Sequence, residues 1–367
     1  MVTKPIVLLG EAWGNREAQI GKAFVGPSGI ELLRMLAEAD LLTLTPADRD
    51  DLRRYWRTEN PAHTDRVWTR HPEFLRLNVF DLHPPENNLA ALCGDKANAI
   101  EGYPKHDKGW ISREFAPHLD VLGDTIISVD PNLIICLGGT ALWALAGITT
   151  IKAARGRLRM SSHTVAGFKL LPVYHPAFIL RNWVDRPITI LDLTKAHRHA
   201  SNPTFTLPDR TLWLEPTLDD IQSFILQHIS GCDLLSVDIE TSGDSITCIG
   251  FAPSAQLGLV IPFHASGRKG KHYWPTLENE RCAWHLIRDV LIDPTIPKLF
   301  QNGLYDIAFL ARSVGIHVRG ATHDTMLLHH ALQPELEKGL EFLGSVYTEE
   351  SNWKREHRQV GTIKRDA

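Results

Sequence analysis

The 367-residue chain lacks any apolar run near the ~20 residues that span a bilayer, and no membrane association is expected. No leader is expected either. The stretch Met1-Val-Thr-Lys-Pro-Ile-Val-Leu-Leu-Gly10 is too short for a signal peptide's apolar core and runs into a motif, not a cleavage site. Cysteine is scarce. Cys93, Cys136, Cys232, Cys248 and Cys282 form no C-x-x-C pair, which argues against a disulfide framework and for reduced thiols in a cytosolic setting. An excess of basic charge is missing too. Residues 1–205 carry 24 basic and 22 acidic side chains, and the remainder 15 and 21. Neither half is a nucleic-acid-binding domain by charge alone, although an acidic domain can reach DNA phosphates through carboxylate-held divalent ions. Neither the G-x-G-x-x-G nor the P-loop spacing occurs, which disfavours a nucleotide cofactor.

What is present is an ordinary globular composition, 43% hydrophobic and 22% charged, with length enough for two domains. Residues 4–10, 74–80, 132–137 and 168–174 read as apolar strands. Helical periodicity over 29–42 and a helix opening at Thr140 alternate with them. Such alternation implies a mostly parallel sheet with helices on both faces, whose ligands bind beyond the carboxyl ends of the strands. Residues 45–70 read as an insertion or surface helix. The Pro-rich stretch 201–216 reads as a linker between a domain at 1–200 and a second at 217–367. In the second, strands are expected at 234–238, 248–253, 257–263 and 298–300, and helices at 284–291 and 306–313.

Four segments of the first domain carry chemistry. Gly10-Glu-Ala-Trp-Gly14 opens a glycine-rich loop, with Glu11 at a strand end suited to a catalytic carboxylate or to an exposed loop acid. Asn78 lies inside the strand Leu77-Asn-Val-Phe80. There it can make a structural hydrogen bond or offer its donor and acceptor to a base edge such as uracil's. Pro131-Asn-Leu-Ile-Ile-Cys-Leu-Gly-Gly-Thr140 is a strand and a helix start able to take a phosphate. His175 follows a strand in Val173-Tyr-His-Pro-Ala-Phe-Ile-Leu-Arg181 and suits a core or a catalytic histidine equally. Lys152, Arg155 and Arg157 suit a phosphate grip or a solvated basic turn.

Together these segments, over about residues 5–200, resemble the uracil-DNA glycosylase superfamily, most closely its family 4. The resemblance implies a three-layer αβα domain that removes uracil from DNA and leaves an abasic site. It implies that Glu11 positions or activates the hydrolytic water and that Phe24 stacks on the flipped uracil. Asn78 would read the base edge, His175 would stabilise charge on uracil O2, and the segment to Arg181 would wedge into DNA. Trp13 stands where family 4 has Pro, so it is expected among the uracil-binding residues, where it would narrow or close the pocket. Family 4 holds an iron–sulfur cluster on four cysteines. This chain lacks the N-terminal pair and has His83 before Pro84, so no cluster or other cofactor is expected in this domain.

In the second domain, Leu234-Leu-Ser-Val-Asp-Ile-Glu-Thr puts Asp238 and Glu240 on one face of a strand, and Asp306 opens a helix in Gln301-Asn-Gly-Leu-Tyr-Asp306. Paired carboxylates in an apolar run are costly unless they bind metal. With Val318-Arg-Gly and Asp324-Thr-Met-Leu-Leu328, they resemble the 3′–5′ exonuclease domain of family A DNA polymerases, with its RNase H-like fold, over about 217–353. The resemblance implies Mg or Mn held by Asp238, Glu240 and Asp306. The family's third motif, Tyr-x-x-x-Asp, does not occur. Thr362-x-x-x-Asp366 keeps only its spacing, so the exonuclease half is expected to be incomplete and inactive alone.

The expected protein is a phage-type repair or replication protein in the host cytoplasm. Its expected partners are uracil-containing DNA, single- or double-stranded, and a DNA polymerase or other replication protein. The alternatives are a non-catalytic DNA- or uracil-binding module of a replication polymerase and a metal-dependent 3′–5′ exonuclease.

Overall fold

The structure, a computed structural model, describes residues 4–265 and 272–350. They divide into two compact units, one of residues 4–206 with 344–350 and the other Leu207–Leu343. The expected Thr362–Asp366 spacing lies outside the described residues.

The first unit is built on β1 (Ile6–Ala12), β2 (Phe74–Phe80), β3 (Ile134–Leu137), β4 (Arg159–Ser162) and β5 (Ala166–Val173). Their order is β2-β1-β3-β5-β4, parallel throughout except for β4, which runs antiparallel to β5. The near-continuous apolar runs of β1 and β3 follow from burial on both faces. Around the sheet lie α1 (Pro27–Glu38), α2 (Pro46–Thr58), α3 (Pro61–Thr69), α4 (Ala116–Val129), α5 (Gly139–Ala146) and α6 (Arg186–His199). Val7, Leu9, Ile134, Cys136 and Leu170 share a core with α4 and α5. The residues between them point to the other face, where α1 packs on α6 and α6 on β5. This is the three-layer αβα arrangement.

The stretch 45–70 is more ordered than an insertion. Proline sits in the first turn of both α2 and α3, where its missing N–H costs nothing, and Thr45 caps α2 in a reciprocal capping box with Asp48. The two helices are clamped by ions. Arg70 donates to Asp48 at 2.6 Å and to Asp51 at 2.8 Å, and Arg66 donates to Asp51 at 2.7 Å. Burial pushes the Asp51 carboxyl up, but hydrogen bonds from Arg66, Arg70 and His63 outweigh it and hold the group far below the carboxylate range.

The second unit contains β6 (Thr211–Trp213), β7 (Leu235–Ser242), β8 (Ser245–Ser254), β9 (Leu257–Pro262), β10 (Lys298–Phe300) and β11 (Ala321–Asp324), in the order β11-β10-β7-β8-β9-β6. β7, β8 and β9 form an antiparallel meander, and β10 joins β7 in parallel. The chief helices are α7 (Leu277–Ile292), α8 (Gly303–Val314) and α9 (Thr325–Leu332). One difference from the sequence reading is β6. It lies within the stretch taken as linker, yet it pairs in parallel with β9 at the sheet edge.

Two expectations follow from the α2–α3 clamp. Asp48 has a fully buried side chain, so Arg70→Ala leaves an uncompensated charge and should remove about 3 kcal/mol of stability in urea denaturation. Because the carboxyl pKa values of Asp48 and Asp51 are lowered by folding, their contribution is complete at neutral pH. It is lost as pH falls below about 4. The melting temperature should therefore decline on acidification below that value, and less steeply in Arg70→Ala.

Candidate functional site

The carboxyl ends of β1, β2 and β5 converge on a cavity of about 280 Å³. It is lined by Glu11, Phe24, Asn78, His175 and Arg181, with Glu17 and Asn87 among the other walls. The parallel register sets Gly10 of β1 opposite Asn78 of β2. A Cβ at residue 10 would lie 2.5 Å from Asn78 Oδ1 and 2.6 Å from the tip of the Phe24 ring, so glycine lets both side chains lie over the strand. Asn78 is only 6% exposed and lines the cavity, and among the described residues its side-chain amide makes no hydrogen bond. A buried amide in that condition keeps both its donor and its acceptor for an occupant of the cavity.

Phe24 is held in the left-handed region at φ 56°, a conformation that costs an ordinary residue roughly 1–2 kcal/mol. Three contacts keep it there. The Glu17 carboxylate accepts from the Val25 and Gly26 amides at 3.0 and 2.8 Å. The Trp68 indole on α3 donates to the Phe24 carbonyl at 2.8 Å. Gly29 passes so close to that carbonyl that a Cβ there would collide with it. The ring then faces His175, with centroids 6.0 Å apart and a 35° tilt.

His175 begins a short turn of helix, and its Nδ1 accepts from the Ala177 amide at 3.1 Å. Burial pushes the imidazole pKa down, Glu11 opposes this, and Arg181 adds to the fall. A neutral ring with Nδ1 engaged carries its proton on Nε2, as a hydrogen-bond donor. Glu11 Oε2 accepts from the Thr140 hydroxyl at 2.5 Å. Thr140, at the helix start read as able to take a phosphate, thus has its hydroxyl engaged inside the fold.

Five of the residues expected in the site, Glu11, Phe24, Asn78, His175 and Arg181, share the cavity. Trp13 does not. It lies between Ala12 and Gly14, which line the cavity, but its own indole donates to Asp81 instead. The expectation that Trp13 closes the pocket or binds uracil is therefore corrected. Arg155 and Arg157, expected to grip phosphates, are buried. Arg155 is paired with Asp192, and Arg157 donates to the Glu350 carbonyl at 2.9 Å, so they brace the interior. Lys152 alone of the three is exposed. The sequence reading missed Glu17, Trp68 and His106, and it gave Thr140 a different role. For Glu17 the signal was an acid inside a glycine-rich loop with free amides to satisfy.

In the second unit, Asp238 and Glu240 are exposed on β7, and Asp306 is buried at the start of α8. Asp306 accepts from the Ile239 amide at 3.2 Å. Burial raises its carboxyl pKa, and the charges of Asp324 and Glu240 raise it further. Asp324 is committed to backbone amides, those of Gly303 at 2.7 Å and Met326 at 2.8 Å among them. Among the described residues, no three His, Cys, Asp or Glu side chains gather into a group that could hold a metal ion. Asp306 meets the β7 backbone at Ile239, between Asp238 and Glu240, the other two residues of the expected ligand set.

Residues 2–200 match the family model of the uracil DNA glycosylase superfamily, and residues 217–359 match a 3′–5′ exonuclease family model. A DNA polymerase of Bacillus phage SP01 is 23% identical over 248 residues, which cover 59% of this chain and 25% of that protein. The chain thus spans about a quarter of the length of the curated relative it matches. An EXD2 exonuclease domain crystal structure soaked in Mn is 18% identical, covering 34% of this chain and 58% of that one, at a TM-score of 0.25. NrnC of Brucella melitensis with bound Mg2+ is 20% identical, covering 40% and 64%, at a TM-score of 0.27.

The loop geometry can be tested without a substrate. Glu17→Ala removes the acceptor of two amides and should cost about 2 kcal/mol, while Glu17→Gln, which keeps one oxygen, should recover most of it. Imidazole NMR should show His175 titrating below about 6.5, with the proton on Nε2 in the neutral form.

Proposed function

The chain belongs to the uracil DNA glycosylase superfamily, and from that premise we propose that its first unit hydrolyses the N-glycosidic bond of uracil in DNA, leaving an abasic site. The observation that carries this reading is the buried, unpartnered amide of Asn78, facing a cavity it shares with Phe24 and a neutral His175. Uracil presents a carbonyl acceptor beside an N–H donor, and one amide matches both.

The chemistry separates charge. Breaking the bond leaves an anionic base and a cationic, oxocarbenium-like sugar. The base must first leave the duplex stack, and stacking on Phe24 returns roughly 1–3 kcal/mol of that cost. His175, neutral with Nε2–H, donates to the oxygen on which negative charge grows. A preorganised donor in a dry site strengthens as the charge develops. Glu11 lies at the end of β1, where its carboxylate holds the attacking water and faces the positive sugar. Beside Arg181, Leu180, Trp183 and Val184 are 43%, 58% and 75% exposed. An apolar wedge with a cation beside it suits insertion into the gap a flipped base leaves. Cys93 and Cys136, the two cysteines of this unit, are too few for a four-thiolate cluster, and none of these roles needs one.

For the second unit, the proposal is an exonuclease-like domain inactive by itself, acting beside a replication polymerase. The engaged Asp306 and Asp324 support it.

A 5′-labelled oligonucleotide with one uracil separates the readings. In EDTA, hot alkali should reveal a break at the uracil, and Asn78→Ala should slow its appearance about 10²-fold or more. A strand left intact in EDTA by the wild type would overturn the glycosylase proposal. A ladder of shortened strands in Mg2+, lost in Asp238→Ala, would overturn the reading of the second unit.

A further inference from the structure

Glu11 ends a chain of hydrogen bonds that the chemistry above leaves unused. The Lys108 amide donates to His106 Nδ1 at 3.1 Å. That nitrogen is therefore an acceptor, and the proton of a neutral ring sits on Nε2. Nε2 lies 3.0 Å from Thr140 Oγ1, so it donates to that oxygen. The Thr140 hydroxyl has one proton of its own, and it goes to Glu11 Oε2 at 2.5 Å. A carboxylate has no proton to return, so every direction in the chain is fixed.

The surroundings are built to keep it so. His106 and Thr140 are both buried. The Trp143 ring meets His106 edge-on, with centroids 5.6 Å apart, and its indole donates to the Pro104 carbonyl at 2.8 Å, pinning the loop that carries the histidine. The Gly109 amide closes that loop on the His106 carbonyl at 3.1 Å. The charged groups felt by the ring are Asp107, Glu11 and Lys108, and burial, the largest influence, favours the neutral form. A polar turn, Pro104-Lys-His-Asp-Lys-Gly109, thereby sends one side chain inward to a buried hydroxyl.

We infer that Thr140 and His106 are positioning residues that fix one oxygen of the Glu11 carboxylate, so that its other oxygen holds the attacking water at the sugar. The inference rests on the glycosylase reading of the first unit. A glutamate at a strand end has three side-chain torsions to lose, and a displacement of about 1 Å at a reacting group can cost 10²-fold in rate.

Single-turnover excision of uracil, with DNA affinity measured in parallel, tests the inference on the full chain. Thr140→Val keeps the shape and removes the hydroxyl. The expected result is a rate lower by about 10- to 100-fold with affinity changed less than about threefold. Thr140→Ser, which restores the hydroxyl, should return the rate to within about threefold of the wild type. His106→Ala should also slow excision without weakening DNA binding. Thr140→Val at the wild-type rate would overturn the inference, as would Thr140→Ser as slow as Thr140→Val or a loss confined to affinity. Imidazole 15N shifts of the wild type need no variant. They should show His106 neutral at pH 7 with the proton on Nε2, and a charged ring or the other tautomer would overturn the inference directly. A folded wild type without turnover would retire the glycosylase reading instead, and the tautomer would then decide the relay alone.

Discussion

Residue 10 tolerates no atom beyond Cα. The Asn78 amide and the Phe24 ring both lie over it, one brought by the neighbouring strand and the other by the loop that follows. Close approach of three chain segments at one point is what gives the cavity its floor. The rest of the first unit reads as support for that approach. Parallel pairing of β1 and β2 fixes the height of Asn78. Glu17, Trp68 and Gly29 hold Phe24 in a conformation it would not choose. The α2–α3 pair, far from being an appendage, is the arm that carries Trp68 to the Phe24 carbonyl. Its buried ion network therefore bears on the pocket as well as on stability.

Electrostatically the pocket is divided. One side holds a carboxylate fixed by a hydroxyl, and the other a histidine that burial keeps neutral. That division matches a reaction in which charge separates between base and sugar. The second unit shows a different arrangement. Two of its acidic residues accept from backbone amides, Asp306 from β7 and Asp324 from the start of α8 and α9.

Much of this was legible in the sequence, and the reason is locality. The apolar runs of β1, β2 and β3, and the polar residues at their ends, are patterns within a few residues. Glu11 and His175 could thus be placed at strand ends, and Asn78 within a strand, from the sequence alone. What stayed hidden depends on partners distant in the chain. His106 sits in a turn rich in charge, and only the fold shows that Thr140 lies above it. Trp13 looked like a pocket residue because of its motif. Alternation along the chain points its neighbours inward and sends its indole to Asp81. Arg155 and Arg157 looked like a surface grip because burial leaves no mark on composition. The helix α6 was missed for a related reason. Its buried face carries Thr189, Asp192 and Lys195 beside Leu193, so the apolar period that announces a helix is broken by charges that find partners only in the folded state. The edge strand β6, three residues long, has no period to read.

The parallel sheet has a consequence for how the pocket comes into being. Its walls come from the first strand, the second and the last of the parallel set, joined by long crossovers. No fragment shorter than residues 11–181 contains them all. Parallel pairing between distant segments is slow, because loop closure must precede the contacts that reward it. During synthesis, β1 must remain without its full set of neighbours until β3 has left the ribosome, and the pocket lacks its last wall until β5 and His175 follow. The cavity is thus complete only late, and a chain interrupted before His175 lacks one of its walls.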